Sequence, residues 1–295
     1  MNKYLSVFRS EFGKNKILTE YDSIIESIGI HYEERYLNTC LGRTHVIISG
    51  EINNPPVILI HAFYATAASW YQNLKVLSEN FRVYTVDIIG DPNKSEPIRQ
   101  IRKLTDFTNW FNDMMSELNI EKADFIGNSV GAFHVANFAL HSPDKVKRMI
   151  LIGPAATFSQ IMPFYFHTFP GGITGLSLLV RHAVKWIENE IPFESGFHKL
   201  FYLTLKYGKS ANQVFPKVFT DEELAKIETP TLLIYGDKEV IYNIDKSIDR
   251  AKRLMKNIKV KIIPHANHIT AASNAKVTNE TILRYLEKKD VHSKR

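Results

Sequence analysis

The chain has 295 residues, of which 44% are hydrophobic and 23% are charged, and these proportions are those of a globular protein and not of a disordered one. No apolar stretch is long enough to cross a bilayer, and the N-terminal residues lack the apolar segment of a secretory signal, so we expect a cytoplasmic protein without a membrane span. The 37 basic and 31 acidic residues give a net charge of +6. Because the basic residues are scattered and are not interleaved with aromatic residues, nucleic acid is not an expected partner.

The first fifty residues are predicted to form helices followed by a pair of strands. An apolar helical pattern over residues 3–28 is interrupted near Gly13, which predicts two short helices. Residues 31–37 and 44–49 alternate in hydrophobicity or are β-branched, so they are expected to pair as antiparallel strands at a sheet edge. The lone Cys40 has no partner for a disulfide or a metal site and is expected to be a structural thiol.

Strands and helices then alternate along the chain. Amphipathic runs that begin at Thr66 and Leu104 predict helices, and short buried apolar runs predict strands. The predicted strands are residues 57–60, 82–87, 123–126 and 146–152. This order is typical of an α/β protein with a mostly parallel sheet, helices on both faces and ligands at the carboxyl ends of the strands.

Residues 155–219 interrupt the alternation, because they show a helical pattern, many aromatic residues and no convincing strand. The alternation resumes with strands predicted at residues 231–235 and 258–263. We therefore expect an α/β core domain made of residues 1–154 and 220–295, with residues 155–219 forming a helical cap subdomain.

A serine flanked by two glycines connects a predicted strand to a predicted helix, in the run Gly127-Asn128-Ser129-Val130-Gly131. A tight strand–turn–helix connection leaves little room for side chains two positions from its centre, and both of those positions hold glycine. Such a turn exposes the serine hydroxyl at the edge of the sheet and places the backbone N–H of Val130 at the start of the helix, where it can stabilise negative charge. The pattern is that of a nucleophile, and the plainer alternative is a polar loop.

A serine nucleophile needs a base to accept its proton and a third group to orient that base. His265 and His268 follow the last predicted strand, and Asp237 and Glu239 follow the strand before it. His61 also ends a predicted strand, where it is expected to brace a loop. Position alone leaves both carboxylates as candidates, and it favours the two histidines of the last loop over the others.

These motifs together resemble the α/β-hydrolase family. The glycine-flanked serine is similar to the family's nucleophile elbow, residues 59–63 resemble its H-G oxyanion loop, and serine, carboxylate and histidine follow each other in the family's order. The family's G-x-x-D pattern falls on Glu239, with glutamate in place of aspartate, and its P-x-x-G-H pattern ends at His268. Ala62 and Asn267 stand where glycine is usual, and Asn267 is expected to adopt the positive φ of that turn.

The resemblance implies hydrolysis of a carboxylic ester through an acyl-enzyme intermediate, with no metal or organic cofactor. Ser129 would attack the ester carbonyl, His268 would pass the serine proton to the leaving alcohol, and Glu239 would stabilise the imidazolium. The backbone N–H groups of Phe63 and Val130 would form the oxyanion hole.

The aromatic residues of the insertion suggest an apolar pocket, and therefore a neutral, apolar ester as the substrate. Trp70, Phe164 and Phe166 are the candidate wall residues, with Phe63, whereas most other rings are expected to pack the cap helices onto the core. A small-molecule ester is the only expected binding partner. The protein is expected to be a monomer or a homodimer.

Several activities share this machinery: those of a thioesterase, a lactonase, a carbon–carbon bond hydrolase or a cofactor-free perhydrolase. A haloalkane dehalogenase is disfavoured because its nucleophile is a carboxylate and this chain has Ser129. The alternative from a different class is a non-catalytic ligand-binding protein on a hydrolase scaffold. Labelling by a fluorophosphonate separates the two classes, because only an activated serine reacts.

Overall fold

The computed structural model describes residues 3–187 and 196–287, and its centre is one mixed β-sheet. The strands are β1 (Tyr32–Thr39), β2 (Gly42–Ser49), β3 (Pro56–Ile60), β4 (Arg82–Val86), β5 (Glu96–Pro97), β6 (Ala123–Asn128), β7 (Val146–Ile152), β8 (Thr231–Gly236) and β9 (Ile258–Ile263). The helices are α1 (Glu11–Ser27), α2 (Tyr71–Ser78), α3 (Leu104–Glu117), α4 (Val130–His141), α5 (Met162–Thr174), α6 (Ser177–Ile187), α7 (Gly196–Tyr207), α8 (Asp221–Ala225), α9 (Ile244–Leu254), α10 (Thr270–Ser273) and α11 (Ala275–Leu286). Short 3-10 helices span Ala67–Trp70 and Pro143–Lys145.

The strand order in the sheet is β1-β2-β4-β3-β6-β7-β8-β9, and the short β5 pairs with β2. The pairs β1–β2 and β2–β4 are antiparallel, whereas every neighbouring pair from β4 to β9 is parallel. The predicted parallel sheet and the predicted antiparallel edge are therefore confirmed. Because parallel strands end on the same side, the loops that follow β3, β6, β7, β8 and β9 meet at one edge of the sheet.

Both faces of the sheet are buried, as the apolar runs predict. In β3, Ile58 and Ile60 belong to one apolar cluster and Val57 and Leu59 to another, and all four are 0% exposed. Successive side chains of a strand point to opposite faces, so an uninterrupted apolar run requires cover on both sides.

The N-terminal region differs from its prediction, because one helix, α1, replaces the two expected helices. Gly13 lies in the first turn of α1, where its N–H is capped by the side chain of Ser10 at 3.1 Å. A Cβ at Gly13 would lie 2.5 Å from the Cβ of Tyr207. The glycine therefore marks a close contact with α7 and not a break in the helix.

The insertion between β7 and β8 carries α5, α6 and α7, as the helical pattern predicts, and residues 188–195 lie outside the described ranges. Helix α1 packs against α7, and the Arg9 side chain donates hydrogen bonds to the carbonyls of Gly172 at 2.6 Å and Ile173 at 2.9 Å. The N-terminal segment thus contacts the insertion directly. In the described ranges, no helix combines the length and apolarity needed to cross a membrane.

Candidate active site

Ser129 lies in the turn between β6 and α4 and has an unusual backbone conformation, with φ 53° and ψ −113°. A Cβ at Gly127 would lie 2.5 Å from the backbone of Ala132, and a Cβ at Gly131 would lie 2.3 Å from the carbonyl oxygens of Ile60 and His61. Real Cβ atoms do not approach backbone this closely, so both positions require glycine. The predicted steric reason for the glycine pair is therefore confirmed.

Hydrogen bonds to the end of β7 and to the loop that follows it hold this turn in place. The N–H of Ser129 donates to Ile152 O at 2.8 Å, and the N–H of Ala155 donates to Ser129 O at 3.0 Å. A non-glycine residue at positive φ costs on the order of 1–3 kcal/mol, so the surrounding contacts have to stabilise it. The buried Ser129 is 4% exposed.

The structure brings Ser129, His268 and Glu239 together at this edge of the sheet. The Ser129 hydroxyl lies 2.9 Å from His268 Nε2, and His268 Nδ1 lies 2.8 Å from Glu239 Oε2. Since an ionised carboxylate only accepts hydrogen bonds, Nδ1 carries the ring proton and Nε2 is left to accept the serine proton. The three groups have the hydrogen-bond order that a nucleophile, its base and an orienting acid require.

Of the two candidate carboxylates, only Glu239 contacts the histidine ring. Its side chain is 1% exposed, and its other oxygen, Oε1, accepts the N–H groups of Val240 and Ile241, both at 2.9 Å. Burial by itself raises the pKa of Glu239, but the interaction with His268 and these two N–H groups hold it below its ordinary value. The carboxylate is therefore ionised near neutral pH.

Asp237 is exposed and has a different partner. Its Oδ1 accepts the N–H of Ala266 at 3.2 Å, in the loop that carries His268. A second contact between the two loops runs from the N–H of Lys238 to Ala266 O at 2.8 Å. These bonds connect the Glu239 loop to the His268 loop. Asp237 therefore helps to hold the two loops together but does not bond to the His268 ring.

The prediction of a positive φ at Asn267 is wrong. The left-handed residue of this loop is the exposed His265, at φ 56°, two positions earlier. The left-handed turn therefore comes before Ala266. Position 267 does not require the conformational freedom of the glycine that the family pattern has there. The side-chain oxygen of Asn267 instead accepts the N–H of Ile269 at 3.3 Å.

Phe63, in the loop after β3, lines the same cavity as Ser129, and Val130 is the first residue of α4. Within the described ranges, no backbone carbonyl accepts the N–H of Phe63 or that of Val130. The positive φ of the loop falls on Tyr64, at 52°, and not on Ala62. Alanine in place of the usual glycine is therefore accommodated without strain.

His61 braces this loop, as expected. Its Nε2 accepts the N–H of Ile88 at 2.8 Å, so its Nδ1 carries the proton and donates to Ala62 O at 2.7 Å. Burial lowers the pKa of His61, which keeps the ring neutral in this role. Helix α7 adds a second support, because the hydroxyl of Thr204 donates to Tyr64 O at 2.6 Å.

A small cavity opens onto Ser129, and its lining is mostly apolar. The lining residues are Ala62, Phe63, Asn128, Ser129, Phe164, Ile187, Phe197, Phe201, His268 and Ile269. Among the candidate wall residues, Phe63 and Phe164 lie here, with their ring centroids 5.7 Å apart.

The structure places the other two candidate wall residues elsewhere. Trp70 is 1% exposed and packs in the apolar cluster of Val57 and Leu59 on the opposite sheet face, because the 3-10 helix that it ends and the following α2 cover that face. Phe166 is 72% exposed and does not line the cavity. Phe197 and Phe201, four positions apart on α7, have the spacing of one helix face, which is the sequence signal that points to them.

The described ranges contain no group of three or more His, Cys, Asp or Glu side chains arranged to hold a metal ion. Ser129, His268 and Glu239 bring a hydroxyl, an imidazole and a carboxylate into one hydrogen-bonded row. Such a set suits acyl transfer.

Comparisons with known proteins identify the family of this chain. Residues 55–185 match a family model described as the alpha/beta hydrolase fold. The chain is 36% identical to the Bacillus subtilis protein named uncharacterized carboxylesterase nap, over 85% of each chain. It is 33% identical to carboxylesterase YbfK of the same organism, over 90% of this chain and 92% of the relative.

Solved structures show the same relationship. The crystal structure of carboxylesterase CesB (YbfK) from Bacillus subtilis superposes with a TM-score of 0.89 at 29% identity and covers 95% of this chain and 100% of that one. That of naproxen esterase (carboxylesterase NP) from the same organism has a TM-score of 0.87 at 31% identity, over 94% and 99% of the two chains. By sequence and by fold, this chain belongs to the α/β-hydrolase family and is related there to the Bacillus carboxylesterases.

Proposed function

We propose that the protein is a serine carboxylesterase in which Ser129 is the nucleophile, His268 the general base and acid, and Glu239 the orienting carboxylate. The observation that carries the proposal is the continuous chain of hydrogen bonds from Ser129 Oγ through the His268 ring to Glu239. The relationship to carboxylesterases over most of the chain supports the same reaction.

The first half of the reaction forms an acyl-enzyme. Ser129 Oγ attacks the ester carbonyl while His268 Nε2 takes its proton, and Glu239 stabilises the positive charge that develops on the ring. The N–H groups of Phe63 and Val130 donate to the oxyanion, and one such donor contributes about 3–4 kcal/mol in other enzymes. The imidazolium then protonates the leaving alcohol, and the carbonyl re-forms as the ester bond breaks.

Water releases the acid in the second half. His268 Nε2 takes a proton from water, the resulting hydroxide equivalent attacks the acyl carbonyl, and the ring returns the proton to Ser129 Oγ as the bond to serine breaks. Both halves use the same groups, so no cofactor is required.

The substrate we propose is a neutral ester with an apolar acyl part. The seven lining residues other than Asn128, Ser129 and His268 are all apolar, and no Lys, Arg, Asp or Glu lies among the lining residues. Residues 155–219, as a cap, supply four of these apolar side chains: Phe164, Ile187, Phe197 and Phe201.

A panel of p-nitrophenyl esters of increasing acyl length tests the proposal. We expect saturable hydrolysis that is strongest for short to medium acyl chains and that falls by at least about 10³-fold in Ser129→Ala and His268→Ala. Turnover restricted to charged acyl carriers would contradict the neutral-ester assignment. Binding of these esters without any release of p-nitrophenol would instead favour the ligand-binding alternative.

A further inference from the structure

One polar side chain of the catalytic cavity has no role in the reaction described above. Asn128 precedes the nucleophile, lines the cavity and is only 8% exposed. Its side-chain oxygen, Oδ1, is buried and accepts no hydrogen bond from a described residue. Buried polar atoms are almost always paired in folded proteins, so an unpaired one beside a nucleophile requires an explanation.

The remaining lining residues give Oδ1 no protein donor. Ser129 and His268 are hydrogen-bonded to each other, and the neighbouring Phe63, Phe164 and Phe201 are apolar. An ester that is apolar throughout would leave this carbonyl unpaired, whereas an ester with a hydroxyl donor would gain a hydrogen bond to it. A site with this composition favours a ligand that brings the missing donor with it.

We propose that Asn128 is a specificity-determining residue that accepts a hydrogen bond from a hydroxyl group on the acyl part of the ester. Asn128 and Ser129 line the same small cavity, so a group on the acyl part that reaches residue 128 has to lie close to the carbonyl that Ser129 attacks. The hydroxyl therefore belongs on the first or second carbon from the scissile carbonyl. The preferred substrate class is a 2- or 3-hydroxyacyl ester with an otherwise apolar chain, and this inference rests on the esterase function proposed above.

The test compares three ethyl esters that differ only in a hydroxyl group: ethyl butyrate, ethyl 2-hydroxybutyrate and ethyl 3-hydroxybutyrate. Acid release is followed with a pH indicator, and kcat/KM is determined for each ester. We expect the wild type to prefer at least one hydroxy ester over ethyl butyrate by about tenfold. In Asn128→Leu, which keeps a branched side chain but has no acceptor, that preference falls by about tenfold or more.

Two further variants keep the result interpretable. Asn128→Ala serves where the leucine variant does not fold, and it is expected to lose the same preference. Phe164→Leu changes an apolar lining residue and is expected to alter kcat/KM for the hydroxy and plain esters by the same factor. Labelling of Ser129 with a fluorophosphonate in each variant shows that the nucleophile is intact.

A wild type that does not prefer either hydroxy ester, or Asn128 variants that keep the wild-type preference, would overturn the inference. If p-nitrophenyl esters are still hydrolysed in that case, the esterase function stands and only the role of Asn128 fails. If neither esters nor fluorophosphonate react with the wild type, both proposals fail together.

Discussion

Glu239 and Asp237 lie two positions apart, yet only Glu239 reaches the ring of His268, with 2.8 Å between Oε2 and Nδ1. In Glu239→Gln the carboxylate acceptor is replaced by an amide that can donate to Nδ1. The ring would then carry its proton on Nε2 and would not accept one from Ser129. We expect kcat for p-nitrophenyl butyrate to fall by a factor on the order of 10³ to 10⁴.

Asp237→Asn is the matched control for this change. Its amide oxygen still accepts the N–H of Ala266, so we expect kcat to remain within about threefold of the wild type. A larger loss in Asp237→Asn than in Glu239→Gln would show that Asp237, and not Glu239, orients the histidine ring.

We expect His134 to make the protein less stable in acid. It is buried in α4 against the ring of Phe107, at 4.0 Å between ring centroids, and neither ring nitrogen bonds to a described residue. Burial lowers its pKa from 6.5 to about 3. The ring therefore stays neutral in the folded protein while it takes up a proton in the unfolded chain, and stability is lost as pH falls from 6.5 towards 3.

Replacing this ring tests the effect. We expect His134→Leu to gain stability relative to the wild type as pH falls, by about 2 kcal/mol between pH 8 and pH 5, because 1.36 kcal/mol corresponds to one pKa unit. The measurement is the free energy of urea unfolding of both proteins at the two pH values. The comparison at pH 8 isolates the change in packing. An equal difference at both pH values would show that His134 does not titrate in this way.

At the residue scale, sequence identified the groups that share a hydrogen-bonded site but only part of the cavity around them, Phe63 and Phe164. Ser129, Glu239 and His268 stand in short motifs beside strand ends, and such positions can be located without coordinates. Cavity walls depend on how helices from distant parts of the chain pack. For that reason Trp70, expected in the wall, lies on the opposite sheet face, whereas Phe197 and Phe201 were not singled out.

The connection between β6 and α4 is the element on which the site depends most. Gly131 approaches the carbonyl oxygens of Ile60 and His61 so closely that a Cβ would lie 2.3 Å from both. In Gly131→Ala, α4 has to move away from β3, which displaces Ser129. We expect a loss of stability of about 1–3 kcal/mol, seen in urea unfolding, and at least a tenfold loss of esterase activity.

Gly172→Ala is the control, because Gly172 also lies in a helix but has room. A Cβ there would have its nearest contact at 3.5 Å, with Leu205 Cδ2. Alanine favours the helical state over glycine by up to about 1 kcal/mol, so unchanged or slightly higher stability is expected. Equal losses in the two variants would mean that the close approach at Gly131 has no special importance.

At the element scale, the apolar periodicity located most helices and strands, because burial on one or both faces determines where apolar residues stand. The exceptions were set by tertiary contacts. Gly13, a break in the sequence pattern, lies in the first turn of α1 and makes room for Tyr207, and the positive φ expected at Asn267 falls on His265. Neither the approach of Gly13 to Tyr207 nor the positive φ at His265 can be read from the neighbouring residues in the sequence.

Over the whole molecule, the amino end of the parallel sheet carries a structural ion pair and its carboxyl end carries the candidate active site. At the amino end of β6, Asp124 forms a buried ion pair with Arg148 of β7, at 2.8 and 2.6 Å, and Arg148 also donates to Leu286 O at the end of α11. At the carboxyl end of the same strand lies Ser129. Strand–helix alternation predicted which edge would hold the site, since in parallel sheets ligands bind at the carboxyl ends.

Labelling by a fluorophosphonate tests most directly whether the three loops of this edge together activate one serine. We expect the wild type to take up one label, located by peptide mass spectrometry at Ser129, and Ser129→Ala to take up none. In His268→Ala the labelling rate should fall by at least about 10³-fold, because His268 is the base that the described residues place against the hydroxyl of Ser129. Labelling at another residue, or an unchanged rate in His268→Ala, would contradict the account.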